Sequence, residues 1–123
     1  MKVSLLSIEK AGYVRLGIEG DITSHDFLDS DGKNPLEGAL GPGWASNNIL
    51  LSLEQTHFID SSAIGWLIDC QRGSKSAGGT LVLHSAPPRV ADLFNMLKLR
   101  SALNLQDNES AARDFLAVGA EAK

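Results

Sequence analysis

The sequence has one cysteine, few basic residues and no long apolar run, and each of these shortages excludes a class of protein. The single Cys70 cannot form an internal disulfide, which favours a reducing cytoplasm. The 15 Asp and Glu residues outnumber the 11 Lys and Arg residues, which argues against binding to nucleic acid or to an anionic membrane. No stretch reaches the roughly 18 apolar residues of a membrane helix, and we expect no signal peptide in the first residues.

The sequence also lacks the usual motifs for metals and cofactors. The three histidines, His25, His57 and His84, are scattered without the spacing of metal ligands. The glycine pair after residue 77 is not followed by the Lys-Ser/Thr of a phosphate-binding loop. We therefore expect no metal and no cofactor.

The composition is that of one globular domain spanning residues 1–123. Apolar residues make up 43% and charged residues 21%, enough of the first to build a core and too few of the second for a disordered chain. Alternating runs at residues 2–10 and 13–20 flank Gly12 and predict an antiparallel hairpin.

The rest of the pattern alternates between strands and helices, in the overall order β-β-(α)-β-α-β-α-β-α. This order predicts an α/β fold, with a mixed, mostly parallel sheet covered by helices. We expect the continuous apolar run "NILLSL" to be a strand buried on both faces. The predicted central strands are residues 49–53 and 80–84, a short strand covers 102–105, and the predicted helices are 61–77, 88–97 and 109–118.

The segment at residues 28–44, "LDSDGKNPLEGALGPGW", is the least regular part of the sequence. Only "NPLEGAL" resembles a helix, with Asn34 as its cap and Pro35 at its first position. Since the segment offers few apolar residues for burial, we expect it to be the most mobile part of the chain.

The stretch "FIDSSAIGW", residues 58–66, places two serines where strand-like sequence becomes helix-like. One interpretation is that Asp60 or Ser61 simply caps the helix. The other is that a serine here presents its hydroxyl to another protein. A phosphate on it would be tolerated at a helix N-terminus but would repel a partner shaped for a neutral serine. The sequence pattern alone leaves both open.

Three neighbouring residues raise further hypotheses. His57 lies four residues before Ser61, but no Gly-x-Ser-x-Gly motif is present, so a small serine hydrolase is only a minor alternative. Cys70 falls on the apolar helix face with Leu67 and is predicted to be buried. Trp66 lies at the edge of that face, where it is either a half-buried core residue or an exposed interface anchor.

The pieces "ILLSL", "FIDSSAIG", "GGTLVLHSAPPRV" and "LFNMLKL" together resemble the STAS domain, the module of bacterial anti-sigma-factor antagonists and of sulphate-transporter tails. The resemblance implies a regulatory binding protein without catalysis. It implies that a cognate anti-sigma kinase phosphorylates Ser61 and that a phosphatase reverses this. The unphosphorylated form would bind the anti-sigma factor and so free sigma. The residues expected at the partner surface are Asp60, Ser61, Ser62, Thr23 and Trp66.

The sequence departs from the family pattern at three places. Ala63 stands where glycine is common, Thr23 stands where the family often has an acidic residue, and residues 28–44 replace a regular first helix. These departures keep an alternative open, in which the chain is a non-phosphorylated adaptor or scaffold of a lipid-transport or stress-signalling assembly. In that case Ser61 would be only a helix cap.

Overall fold

The computed structural model describes residues 1–28 and 34–121, and a five-stranded mixed sheet forms its centre. The strands are β1 (Lys2–Glu9), β2 (Tyr13–Glu19), β3 (Asn48–Gln55), β4 (Thr80–His84) and β5 (Leu105–Gln106). They lie side by side in chain order. The β1–β2 pair is antiparallel and every other pair is parallel. The predicted hairpin and the predicted α/β fold are thus confirmed.

Five helices cover this sheet within the described residues. They are α1 (His25–Leu28), α2 (Pro35–Leu40), α3 (Ser61–Ser76), α4 (Pro88–Met96) and α5 (Glu109–Glu121), and a 3-10 turn at Trp44–Ser46 precedes β3. The start of α3 agrees with the prediction, and its end is set by Gly78, whose φ of 83° is the left-handed conformation that glycine adopts without strain.

Three elements differ from the predictions. Helix α1 was not expected, because four residues are too few to show a helical period. Strand β5 lies at Leu105–Gln106 rather than 102–105, because the preceding residues form a turn in which the Leu105 N–H donates to the Arg100 carbonyl at 2.9 Å. Helix α5 continues past Gly119 to Glu121, since a glycine costs a helix only about 1 kcal/mol and does not by itself end it.

The main core lies between the sheet and the helices α2, α3 and α4. Alternate residues of β3, Ile49, Leu51 and Leu53, are buried there, while Leu50 faces the other side of the sheet. On that second face Leu50 packs in a smaller cluster with Val82, Ala112 and Leu116, which α5 and β4 supply. The expectation that "NILLSL" is buried on both faces is therefore confirmed.

The expectation that residues 28–44 offer few buried contacts is wrong for residues 34–44. Leu36 of α2 is fully buried in the main core. Asn34 caps α2 as predicted, since its Oδ1 accepts from the Leu36 N–H at 2.9 Å. Trp44 lies across α3 beside Gly73, where an added Cβ would be 3.5 Å from the ring. Residues 29–33 lie outside the described part of the chain, so the prediction for them stays a prediction.

Candidate functional site

The loops that follow β2 and β3 are joined backbone to backbone at the carboxyl end of the sheet. The Gly20 N–H donates to the Gln55 carbonyl at 3.0 Å, and the Ile22 N–H donates to the Phe58 carbonyl at 3.0 Å. The Asp60 N–H then donates to the Ile22 carbonyl at 3.2 Å. These three bonds place the loop after β2, with Thr23, directly beside the start of α3.

Asp60, rather than Ser61, caps α3. Its Oδ1 atom accepts a hydrogen bond from the Ala63 N–H at 3.1 Å, and its Oδ2 atom accepts one from the Ser24 N–H at 2.9 Å. The bond from Ser24 and those from Ala63 and Ser62 hold the pKa of the Asp60 carboxyl below its ordinary value, because they favour the charged form. A negative charge therefore already lies next to Ser61 at neutral pH.

Ser61 is the first residue of α3, and its side chain is exposed to solvent, as is that of Ser62. Among the described residues, the Ser61 hydroxyl has no hydrogen-bond partner. Thr56 differs from both, because it is fully buried and its hydroxyl donates to the Ile18 carbonyl at 3.2 Å. The structure thus leaves two hydroxyls of this stretch accessible to another protein.

Thr23 contributes mainly through its backbone. Its N–H donates to Asp26 Oδ2 at 2.8 Å, and its carbonyl accepts from the Asp26 N–H at 3.0 Å. The two bonds close a tight turn at the start of α1, which fixes the adjoining Ser24 amide toward Asp60. Thr23, Asp60, Ser61 and Ser62 therefore lie close together at the start of α3.

Trp66, one turn further along α3, is buried, which favours its interpretation as a core residue over that of an exposed interface anchor. It is only 8% exposed, and its ring packs against Phe27 with 5.7 Å between centroids. Its Nε1 atom donates to Asn34 Oδ1 at 3.2 Å. The physical reason is that Phe27 of α1 and Asn34, the cap of α2, lie against this edge of α3, and the irregular sequence around them gave no sign of these contacts.

Cys70 is fully buried one turn further along α3, as predicted. Burial raises the pKa of its thiol to about 12, although a hydrogen bond from Asn34 Nδ2 to Sγ at 3.3 Å opposes this. The thiol is therefore neutral and unreactive at physiological pH.

Gly65 extends the exposed surface along α3. It lies one turn after Ser61, it is exposed, and a Cβ added to it would meet no atom within 4 Å. A glycine inside a helix costs about 1 kcal/mol relative to alanine. The glycine therefore leaves the backbone of α3 open to solvent at this position.

Sequence reasoning missed an apolar groove beside the start of α3. The groove has a volume of about 250 Å³ and lies between the loop before Asp60 and helix α4. Its apolar walls include Phe58, which is 50% exposed, Leu93 and Met96, which is 76% exposed. A large apolar residue such as Phe58, two residues before the helix cap Asp60, was the signal available in the sequence.

Within the described residues, Ser61 is not paired with a histidine. His57 is exposed in the loop, and within residues 1–28 and 34–121 no hydrogen bond joins it to Ser61. In the same residues, no group of three His, Cys, Asp or Glu side chains is placed to hold a metal ion.

Comparison with known proteins agrees with the fold. A sequence model of the STAS domain matches residues 6–112. A Thermotoga maritima protein described as a candidate anti-sigma-factor antagonist superposes with a TM-score of 0.73 at 20% identity, covering 90% of this chain and 92% of that one. A sulfate transporter family protein from Wolinella succinogenes gives 0.65 at 19% identity, covering 94% and 93%.

The anti-sigma-factor antagonist SpoIIAA of Bacillus is similar in two solved forms. Its unphosphorylated form gives a TM-score of 0.58 at 20% identity, covering 90% of this chain and 94% of that one. Its phosphorylated form gives 0.58 at 18% identity, covering 89% and 96%. At these identities the structural likeness establishes the fold.

No helix in the described residues combines the length and the apolar character needed to cross a bilayer.

Proposed function

Because the chain belongs to the STAS-domain family, we propose that it is a regulatory binding protein of the anti-sigma-factor antagonist kind, switched by phosphorylation of Ser61. In this proposal the surface at the start of α3 binds an anti-sigma factor in the cytoplasm. The partner is itself a serine kinase or acts with one, and a phosphatase restores the unmodified form. The protein has no catalytic role of its own.

The observation that carries this proposal is that Asp60, and not Ser61, caps α3. Asp60 supplies the cap of α3, so the exposed Ser61 hydroxyl has no structural task in the described part of the chain. A serine that only capped the helix would instead direct its oxygen to a backbone N–H of the first turn. This geometry favours the switch over the adaptor in which Ser61 is merely a cap.

The phosphorylated fold is expected to be stable. A kinase would transfer the γ-phosphoryl group of ATP to Ser61 Oγ, and the hydroxyl proton would leave to a base of the kinase. The new group would carry a charge of about −1.5 to −2 at a helix N-terminus, where amide N–H groups and the macrodipole favour an anion. The cost of phosphorylation therefore falls on the partner interface rather than on the fold.

The partner surface has a polar part and an apolar part. The polar part consists of the Thr23 turn, Asp60, Ser61 and Ser62, and the bare backbone at Gly65 adjoins it. The apolar part is the groove with Phe58 and Met96. A protein partner that inserts an apolar side chain into the groove and contacts Ser61 directly would exclude a phosphate there.

Capture of partners from the source cells tests this proposal. Unmodified protein and the Ser61→Asp and Ser62→Asp variants serve as baits, and mass spectrometry identifies what each retains. Ser110→Asp is the matched control, because Ser110 is also an exposed serine in the first turn of a helix, α5. We expect a kinase-type anti-sigma factor on the unmodified protein and on Ser110→Asp, and its loss on Ser61→Asp. Equal capture by all four baits would contradict the proposal.

A further inference from the structure

Strand β1 lies at one end of the sheet, and its outer edge is unpaired in the described part of the chain. It is eight residues long, and three of its apolar side chains are exposed: Leu5 by 44%, Leu6 by 52% and Ile8 by 73%. A long apolar edge strand with free backbone groups is a template for pairing with another strand.

A bulge in β1 decides which of its side chains share a face. Before the bulge, Val3 pairs with Ile18 of β2, and after it Ile8 pairs with Val14. Ile18 and Val14 both point into the main core. Val3 and Ile8 therefore lie on the same face of the sheet, although they are an odd number of residues apart.

The bulge also brings the polar residues Ser4 and Ser7 onto one face of the sheet, opposite to the face of Val3 and Ile8. Ser4 pairs with Gly17 before the bulge and Ser7 pairs with Arg15 after it. Lys2 and Glu9, at the two ends of the strand, also lie on this face. Within residues 1–28 and 34–121, neither Lys2 nor Glu9 forms an ion pair.

These relationships make β1 complementary to itself. When two copies of β1 run antiparallel about a two-fold axis between Leu5 and Leu6, Lys2 of each copy lies opposite Glu9 of the other. Val3 then lies opposite Ile8 and Ser4 opposite Ser7, and the two residues of each of these pairs point to the same face. Opposite charges and apolar pairs directly across a strand pair are the contacts that stabilise it.

We propose that β1 is the contact of a symmetric homodimer, in which two sheets join edge to edge into one continuous sheet. The charge pattern selects a second copy of this chain as the occupant, because the ends of β1 attract only a strand that carries opposite charges in reverse order. The contact is a single strand pair and therefore small, and we expect a Kd on the order of 10–1000 μM.

A charge exchange tests this dimer. Sedimentation equilibrium is measured at protein concentrations above that Kd. The proteins compared are the unmodified protein, Lys2→Glu, Glu9→Lys and the double exchange. Each single variant places two like-charged pairs across the axis and should weaken the dimer by about tenfold. The double exchange should restore it. Lys75→Glu, an exposed residue in the last turn of α3, controls for the change in net charge.

One result of this experiment supports the proposed dimer and two others overturn it. A dimer lost in both single variants, restored in the double exchange and kept in Lys75→Glu supports it. A monomer at all concentrations overturns it, including the case in which β1 pairs only with a strand of a different protein. A dimer insensitive to the exchange also overturns it, because the contact must then lie elsewhere. Circular dichroism melting confirms that every variant is folded.

Discussion

Asp60 accepts a hydrogen bond from the backbone N–H of Ser24 at 2.9 Å, although 36 residues separate the two in the chain. The other oxygen of the same carboxylate caps α3 by accepting from Ala63. One side chain therefore fixes both the start of the helix that presents Ser61 and the turn that contains Thr23. The shape of the proposed partner surface depends on this carboxylate.

Substitutions of Asp60 should separate these two tasks. In Asp60→Asn an NH2 group replaces one carboxylate oxygen, so the variant can keep the cap to Ala63 with its remaining oxygen but presents a donor to the Ser24 N–H. Asp60→Ala loses both bonds. We expect faster hydrogen exchange at the Ser24 amide in both variants, and a clearly lower Tm only in Asp60→Ala. Unchanged exchange at Ser24 in both would contradict the proposed link.

Trp66 should act on stability rather than on partner binding. Trp66→Phe removes the Nε1 donor and part of the ring that packs on Phe27, and should cost about 1–3 kcal/mol of the free energy of unfolding. Trp66→Ala should cost about 3–5 kcal/mol. Denaturant titration measures the loss. The affinity of the folded Trp66→Phe protein for the partner should stay within about twofold of that of the unmodified protein. A large loss of affinity without a loss of stability would instead place Trp66 at the interface.

Gly65→Ala should have opposite effects on stability and binding. The added methyl group meets no atom of the fold and alanine favours the helix, so the free energy of unfolding should rise by about 0.5–1 kcal/mol. The same methyl group should weaken a partner that approaches the bare backbone. Gly38→Ala in α2, also with open space at the Cβ position, is the matched control and should leave partner binding unchanged. Tighter binding to Gly65→Ala would exclude close approach at this residue.

His84 should make the stability depend on pH. Its ring is buried, with Nδ1 2.8 Å from Ser85 Oγ, and burial lowers its pKa by disfavouring the imidazolium. Charged groups of Glu109, Arg15, Glu54 and Arg113 also act on the ring, with opposing signs.

Because the folded-state pKa of His84 lies below the unfolded value of 6.5, the unfolded chain takes up the proton first as the pH falls. The stability that His84 contributes is therefore complete above pH 6.5 and declines as the pH falls toward the folded pKa. The Tm of the unmodified protein should fall more steeply below pH 6.5 than the Tm of His84→Gln. Parallel Tm profiles would show that His84 does not titrate on unfolding.

The sequence predicted the elements whose patterns are local. The alternation in β2, the apolar run of β3 and the Asp-Ser-Ser junction each depend on neighbouring residues, and the structure places all three as expected. The contacts that it could not predict join distant residues. The burial of Trp66 depends on Asn34 across 32 positions, and the Phe58–Met96 groove depends on the docking of α4 beside a loop. Periodicity along the chain carries no information about such pairs.

In the proposed switch, a negative charge at Ser61 acts on the partner and not on the fold. The direct measurement is calorimetric titration of the captured partner into unmodified protein and into Ser61→Asp, with the Tm of each measured alongside. We expect a Tm that is equal or slightly higher in Ser61→Asp, because the charge lies at a helix N-terminus, and an affinity lower by about tenfold or more. A Ser61→Asp protein that melts much lower yet binds the partner normally would contradict it, since Ser61 would then be a structural residue.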